Sequence, residues 1–249
     1  MSKNIAKGLF KGKTNIYVTE CLSTNDFLIN ILKKNDLDEG SLVITDFQTK
    51  GRGQRNNSWD SQRSKNLLFS FLLSPKIPVQ SQFYIHVIIS ISIYKTLKKI
   101  GLSGIKIKWP NDIYINNLKI AGILVENIVF KKKVSRSVIG IGININQTNF
   151  LNLKATSVIN ESGEYYDKNK ILKILLSNIE KEYKKININK DAMFKQYKKL
   201  LFGYNQNLDF DSGGKIFQGK IIDLDKNGNL ILCINNKKVS FEHESLSLL

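Results

Sequence analysis

Apolar and polar positions follow two rhythms along this chain, and each rhythm predicts a different element. Leu42–Phe47 (LVITDF), Asn66–Leu73 (NLLFSFLL), Ile105–Lys108, Ile113–Ile115, Lys119–Val125 and Val134–Ile145 read as strands, rich in β-branched or aromatic residues. Asn116-Asn117 predicts a tight turn between two of them, because Asn tolerates positive φ. The slower rhythm predicts helices over Gln82–Lys99, Lys168–Tyr183 and Ala192–Phe202. Ser23-Thr24-Asn25 opens another that runs to about Lys34, a hydroxyl accepting first-turn N–H groups. After Gly203 the texture changes. Lys215–Leu224, Leu230–Ile234 and Lys237–Phe241 are short strands separated by Asn227-Gly228 and Asn235-Asn236 turns, which is the pattern of a small all-β module. The fold class is therefore α+β, with a mixed-sheet domain over residues 1–205 and a small β domain over 206–249.

Composition narrows the classes of function. Hydrophobic residues make up 42% of the 249, enough for a real core. No apolar run approaches the roughly 18 residues of a membrane helix, and MSKNIAKGLFKGKT lacks the apolar stretch of a secretory signal. Two cysteines, Cys21 and Cys233, form neither a disulfide framework nor a metal cluster. A cytoplasmic protein without a membrane partner is expected. The net charge of +17 suggests nucleic acid. Yet only four of the 38 basic residues are arginine (Arg52, Arg55, Arg63, Arg136), and Lys, Asn and Ile dominate throughout, as AT-rich coding would produce. The charge is read mainly as a solvated lysine background.

Three segments carry candidate chemistry. In Gln48-Thr49-Lys50-Gly51-Arg52-Gly53-Gln54-Arg55-Asn56-Asn57-Ser58-Trp59, the glycines let backbone N–H groups approach a ligand. Arg52 and Arg55 offer forks for phosphate or carboxylate, and Trp59 can cover an aromatic base. Read alone, the segment is equally a surface turn, and no helix pattern follows it as a dinucleotide motif requires. The second segment is Lys108-Trp109-Pro110-Asn111-Asp112 followed by Lys119-Ile120-Ala121-Gly122-Ile123-Leu124-Val125-Glu126. Lys119 is unusual in an apolar strand, though an outward-facing lysine would fit, and Gly122 permits close approach. The third is Gly140-Ile141-Gly142-Ile143-Asn144-Ile145-Asn146, alternatively a tightly packed core strand.

Taken together, in this order and spacing, the three segments resemble the biotin–protein ligase family. The resemblance includes Ser23-Thr24-Asn25 and the ending Glu244-Ser245-Leu246-Ser247-Leu248, and spans roughly residues 15–248. It implies a catalytic domain of the biotin/lipoate ligase, class II synthetase-like type with a Src-homology-3-like β-barrel behind it. It further implies that Ser23, Thr24, Asn25, Gln48, Gly51, Arg52, Gly53, Gln54, Lys119, Gly122 and Gly140 meet biotin. Arg55, Trp59, Asn111, Lys119 and Asn144 fall to ATP and the adenylate. Lys119, Arg52 and Asp112 fall to catalysis, with Asp112 placed to meet the acceptor lysine. No protein metal ligands are assigned; Mg²⁺ is expected to come with ATP. The sequence departs from the family at Asn56, which replaces a glycine, and at Gln54, where some members carry arginine. No DNA-binding helix-turn-helix is recognised, so specific DNA is not an expected partner.

The chemistry implied is two displacements. The biotin carboxylate attacks the ATP α-phosphorus and pyrophosphate leaves; a carrier lysine then attacks the mixed anhydride and AMP leaves. The first step joins two anions, so cations are needed where they meet. The second needs a neutral amine, which a nearby carboxylate can orient or deprotonate. The expected partner is a biotin carboxyl carrier protein, and a homodimer is left open. Competing readings are a lipoate–protein ligase, a basic nucleic-acid-binding protein and an inactive biotin binder. The loop Gly51–Trp59 has little apolar surface and two cations that should repel one another, so the sequence predicts a loop that is mobile when empty and closes over an anionic ligand, shielding it from water.

Overall fold

The computed structural model describes residues 8–249 apart from 56, 152 and 243–244. Eight strands form the first sheet: β1 (Asn15–Val18), β2 (Leu42–Thr45), β3 (Leu67–Leu73), β4 (Ile77–Pro78), β5 (Ile105–Lys108), β6 (Asp112–Ile115), β7 (Leu118–Phe130) and β8 (Lys133–Ile143). Their order is β1-β2-β3-β8-β7-β6-β5, with β4 also on β8. Only β1 and β2 run parallel, so the sheet is mixed as expected. Five more strands, β9 (Asn207–Ser212), β10 (Lys215–Leu224), β11 (Leu230–Ile234), β12 (Lys237–Phe241) and β13 (Ser247–Leu248), make a second, antiparallel sheet in the order β12-β11-β10-β9-β13. The helices are α1 (Thr24–Lys34), α2 (Phe83–Lys99), α3 (Val158–Ser162), α4 (Lys168–Tyr183) and α5 (Lys190–Lys199).

β3, LLFSFLL, apolar except for Ser70, is buried throughout because both faces of the sheet are covered. Leu67, Phe69, Phe71 and Leu73 join the main core, where α2 packs between the sheet and the helices α4 and α5. That burial on all sides explains why α2 is helical despite its many isoleucines, since packing outweighs a propensity difference of a few tenths of a kcal/mol per residue. Leu72 faces the other way, toward α1, in a smaller cluster with Leu28, Val43 and Val138. α1 packs mainly against β2, β3 and β8, and so leaves most of the β7 side of that face open.

β7 outruns its expected end at Val125, pairing with β8 as far as Phe130↔Lys133 across a turn in which Lys131 and Lys132 have φ of 47° and 62°. Lysine gives no turn signal, so the hairpin tip was not readable. The Asn116-Asn117 and Asn235-Asn236 turns carry the expected positive φ, at 48° and 66°, and 48° and 63°.

Candidate active site

The face that α1 leaves open holds a cavity of about 260 Å³. Its floor follows from strand alternation. On β8, Ile139, Ile141 and Ile143 point into the main core, whereas Val138, Gly140 and Gly142 point to the α1 side. Val138 packs under α1, Gly140 lies under Asn25, and Gly142 lies under Trp59. A Cβ on Gly140 would stand 2.3 Å from Asn25 Oδ1, and one on Gly142 would stand 2.4 Å from Trp59 Cε2. Gly122 on β7 pairs with Gly142, and its Cβ would lie 2.9 Å from Trp59 Cζ3. The indole therefore rests on a two-glycine platform.

Around Asn25 the polar groups satisfy one another. Ser23 caps α1, and the Thr24 N–H and hydroxyl both donate to Gln48 Oε1, at 2.8 and 3.0 Å. The Ser70 hydroxyl, on the α1 side of β3, lies 2.7 Å from Thr24 Oγ1 and 2.6 Å from Asn25 Oδ1. Ser23, Thr24, Asn25 and Ser70 thus form a buried polar floor beside Gly140, joined by the partly buried Gln48.

The rim is built from three loops. Residues 51–59 fold back on themselves: Gly53 N–H donates to Asn57 O at 2.6 Å and Trp59 N–H to Gly51 O at 2.9 Å. The expected repulsion between the loop arginines is absent, because Arg52 pairs with Glu126 and with Asp26, each at 2.8 Å. Burial opposes the charge on Arg52, but Glu126, then Asp26, outweigh it and raise its pKa. Arg55 instead donates to the Leu246 carbonyl and to Ser247 Oγ, both at 3.1 Å. In the second loop, Asn111 Nδ2 donates to Ile123 O at 2.9 Å, fixing the loop to β7, and Trp109 Nε1 donates to Gly228 O at 2.8 Å. The third is the C-terminal segment, whose Leu246, Ser247 and Leu248 line the cavity.

Lys119 Nζ lies 2.8 Å from Asp112 Oδ1 and 5.5 Å from the Trp59 ring centroid, where floor and rim meet. Lys108 Nζ donates to Leu248 O at 3.2 Å and lies 5.2 Å from the Tyr114 ring centroid. Burial pulls the Lys108 pKa below the ordinary lysine value; Asp112 opposes that shift, while Lys119 and Lys154 add to it. Burial, with Asp112 adding to it, pushes the Tyr114 phenol up to about 12.

The cavity wall brings together Ser23, Thr24, Asn25, Gln48, Arg52, Gly53, Gln54, Arg55, Trp59, Asn111, Asp112, Lys119, Gly122 and Gly140. Two expected residues stand behind it. Gly51 is small because the Trp59 carbonyl packs against it, 2.4 Å from where its Cβ would be. Asn144 is buried, with Nδ2 donating to Thr156 O at 3.0 Å and Oδ1 without a hydrogen-bond partner among the described residues. The expectations at Asn56 and Glu244 lie outside the described residues. Sequence reasoning missed Gly142, Lys108, Ser70 and the acids that hold Arg52. Gly142, Lys108 and Glu126 sat in motifs already singled out; that Asp26 and Glu126 hold Arg52 could be found only through contacts across 26 and 74 positions.

The geometry defines a ligase-type cavity, with a cation between a polar floor and a cationic rim, and the comparisons agree. Residues 17–144 match the model of the biotin/lipoate A/B protein ligase family. The bifunctional ligase/repressor BirA of Bacillus subtilis is 31% identical over 222 residues, covering 87% of this chain and 68% of that protein. The biotin–[acetyl-CoA-carboxylase] ligase of Mycobacterium tuberculosis is 26% identical, covering 89% of this chain and 84% of that one. Among solved structures, the biotin protein ligase of Aquifex aeolicus in complex with biotin and ATP superposes with a TM-score of 0.79 at 26% identity, covering 95% of this chain and 99% of that one. The chain belongs to the biotin/lipoate A/B protein ligase family.

Proposed function

We infer that this protein is an ATP-dependent biotin–protein ligase: it activates biotin as biotinyl-5′-AMP and transfers biotin to a lysine of a biotin carboxyl carrier protein. The observation that carries the reading is the position of Lys119, between a satisfied polar floor and a rim with cations to spare, in a chain similar to ligases of this activity. Lipoate–protein ligase shares the family model, but the relatives and the ligand-bound neighbour named above are biotin ligases.

Ser23, Thr24, Asn25, Gln48 and Gly140 take the biotin ring, whose ureido group exchanges hydrogen bonds with groups already arranged in a network. Lys119 meets the carboxylate where it approaches the α-phosphorus. The carboxylate oxygen forms the new P–O bond and pyrophosphate takes the electron pair of the bond that breaks. Arg55 and Lys108 bind phosphate oxygens, since a guanidinium and an ammonium held by carbonyls keep their full charge. Gln54, Asn111, Gly122 and Trp59 shape the nucleotide side of the cavity. Asp112 orients the acceptor amine, whose attack on the acyl carbon expels AMP.

Mg²⁺ fits this site as a companion of ATP. It is bound through one or two carboxylates plus substrate phosphates, and among the described residues Asp112 is the one carboxylate on the wall. When bound it would supply charge neutralisation to the phosphates. Residues 1–205 form the catalytic unit and 206–249 a small β unit that closes one side of it. No helix among the described residues is long and apolar enough to cross a membrane; a cytoplasmic location fits a ligase of carrier proteins, and a homodimer fits the exposed apolar tip of the β7–β8 hairpin, Ile128–Phe130. The deciding experiment incubates the protein with ATP, Mg²⁺ and a biotin-carrier domain, with biotin or lipoate, and weighs the carrier. A mass gain with biotin alone is expected; a gain with lipoate alone, or none, rejects the reading.

A further inference from the structure

Arg52 is the cation of the Gly51–Trp59 loop that carboxylates hold. One guanidinium nitrogen, Nη2, lies 2.8 Å from each oxygen of Glu126 and 2.8 Å from Asp26 Oδ1. Two carboxylates on one guanidinium leave it no spare charge, whereas Arg55 and Lys108 hold only carbonyl and hydroxyl oxygens. Glu126 also reaches the floor: Asn25 Nδ2 donates to its Oε2 at 2.6 Å, while Asn25 Oδ1 lies 2.6 Å from Ser70 Oγ. A carboxylate has about four acceptor positions, and here donors from two separate elements share one group. β7 holds Glu126 rigidly, since its residue pairs with Val138 on β8. The carboxylate thereby fixes the position of Asn25 and the position of the loop that carries Trp59.

We propose that Glu126 is a positioning residue for biotin activation: it latches Arg52, and with it the loop Gly51–Trp59, to the Asn25 side chain, so that the loop stands in register with the floor that holds the biotin ring. The proposal rests on the biotin-ligase reading. It assigns Arg52 a mechanical task, that of holding the loop down, and leaves the phosphates to Arg55 and Lys108. Glu126 does not line the cavity.

Glu126→Gln tests the latch. The amide keeps the size of the side chain and an oxygen for Asn25, but it no longer offers Arg52 a charged two-oxygen acceptor. Biotin affinity measured by calorimetry without ATP should fall by about tenfold, as for the loss of charge-assisted hydrogen bonds. In biotin-dependent exchange of pyrophosphate into ATP, KM for biotin should rise in step, while kcat changes by less than about threefold, since the transition-state cations are untouched. Arg52→Gln should do the same from the other side, and the double variant should be no worse than the worse single one, because both remove one interaction. Biotin affinity unchanged in Glu126→Gln overturns the proposal, and so do effects of the two substitutions that multiply. A fall in kcat with KM unchanged would place Arg52 at the reacting phosphate and also overturn it. If the unaltered protein fails to bind biotin at all, the activity itself has been misread and the latch goes with it.

Discussion

The floor and the rim of the cavity solve opposite problems. On the floor, Thr24, Asn25, Gln48 and Ser70 are tied to one another at 2.6–3.0 Å across a helix terminus, a strand and the segment after β2. At the rim, Arg55 and Lys108 hold only neutral oxygen atoms, and the buried Trp59 Nε1 has no hydrogen-bond partner among the described residues. A satisfied network suits a neutral polar ring, because it has its dipoles in place before the ligand arrives and only exchanges partners. Cations without carboxylates suit an anion, because the charge they carry has not already been cancelled. On the proposed function, this difference separates selectivity from activation. Biotin should be recognised at the floor, and ATP drawn in at the rim.

Lys119 stands between the two regions, so its removal should have the largest effect. Lys119→Ala should lower biotin-dependent pyrophosphate exchange by a factor of roughly 10² to 10³, the usual result of deleting one preorganised electrostatic contact, about 2.7–4 kcal/mol. Lys119→Arg should recover little, since a planar fork does not replace a compact ammonium. Exchange within about tenfold of normal in a folded Lys119→Ala protein would remove Lys119 from the centre of the comparison.

The two glycines of β8 separate the regions more sharply. Gly140→Ala drives a methyl group into Asn25, and Gly142→Ala drives one into Trp59. Overpacking of this kind costs about 1–3 kcal/mol, and here it falls on ligand binding as much as on the fold. Gly140→Ala should raise KM for biotin and leave that for ATP nearly unchanged, whereas Gly142→Ala should do the reverse. If steady-state kinetics show both variants losing both substrates equally, floor and rim are one unit and the separation fails.

These glycines also show how far the sequence could be read. The helix Lys168–Tyr183 and the three strands between Lys215 and Phe241 emerge residue for residue from periodicity and Asn-rich turns. The GRG and KWPND segments and Lys119 were visible as motifs. β13 was not, because two residues, Ser247 and Leu248, have no rhythm, and pairing with Asp211 and Phe210 on β9 is what makes them a strand. The partners of Arg52 were hidden for the same reason: nothing local marks Asp26 or Glu126 as its neighbours, so the loop looked like a pair of repelling charges when one of the two is neutralised.

At the rim, Lys108→Met should raise KM for ATP by about tenfold or somewhat more, the typical worth of a hydrogen bond to a charged group. Biotin affinity should change little. The pH dependence gives the finer reading. Burial lowers the Lys108 pKa from the ordinary 10.5, so its charge is lost, as pH rises, earlier than from an exposed lysine. KM for ATP should therefore climb on the alkaline side before pH 10.5 is reached. Lys108→Arg, which stays charged throughout, should flatten that climb. A profile identical in the two proteins would show that Lys108 does not meet the nucleotide.

The smallest effect should come from the small β unit. Its C-terminal segment supplies Arg55 with two acceptors, the Leu246 carbonyl and the Ser247 hydroxyl, each at 3.1 Å. Only the hydroxyl can be removed by a side-chain change. Ser247 is exposed, so water takes the place of the lost oxygen, and a solvated hydrogen bond contributes about 0.5–1.5 kcal/mol. Ser247→Ala should accordingly raise KM for ATP by only about two- to threefold, at the low end of that range, with biotin binding intact. Arg55→Lys is the companion variant. It keeps the charge but cannot span both acceptors, because an ammonium presents a single point in place of a fork. If the strand merely touches Arg55, the two substitutions should act independently and their effects multiply. If the strand orients Arg55 for the nucleotide, Ser247→Ala should have no further effect once Arg55 is lysine, since the contact it removes has already gone. Multiplying effects in a double-variant cycle would reduce the small unit to a passive wall of the rim.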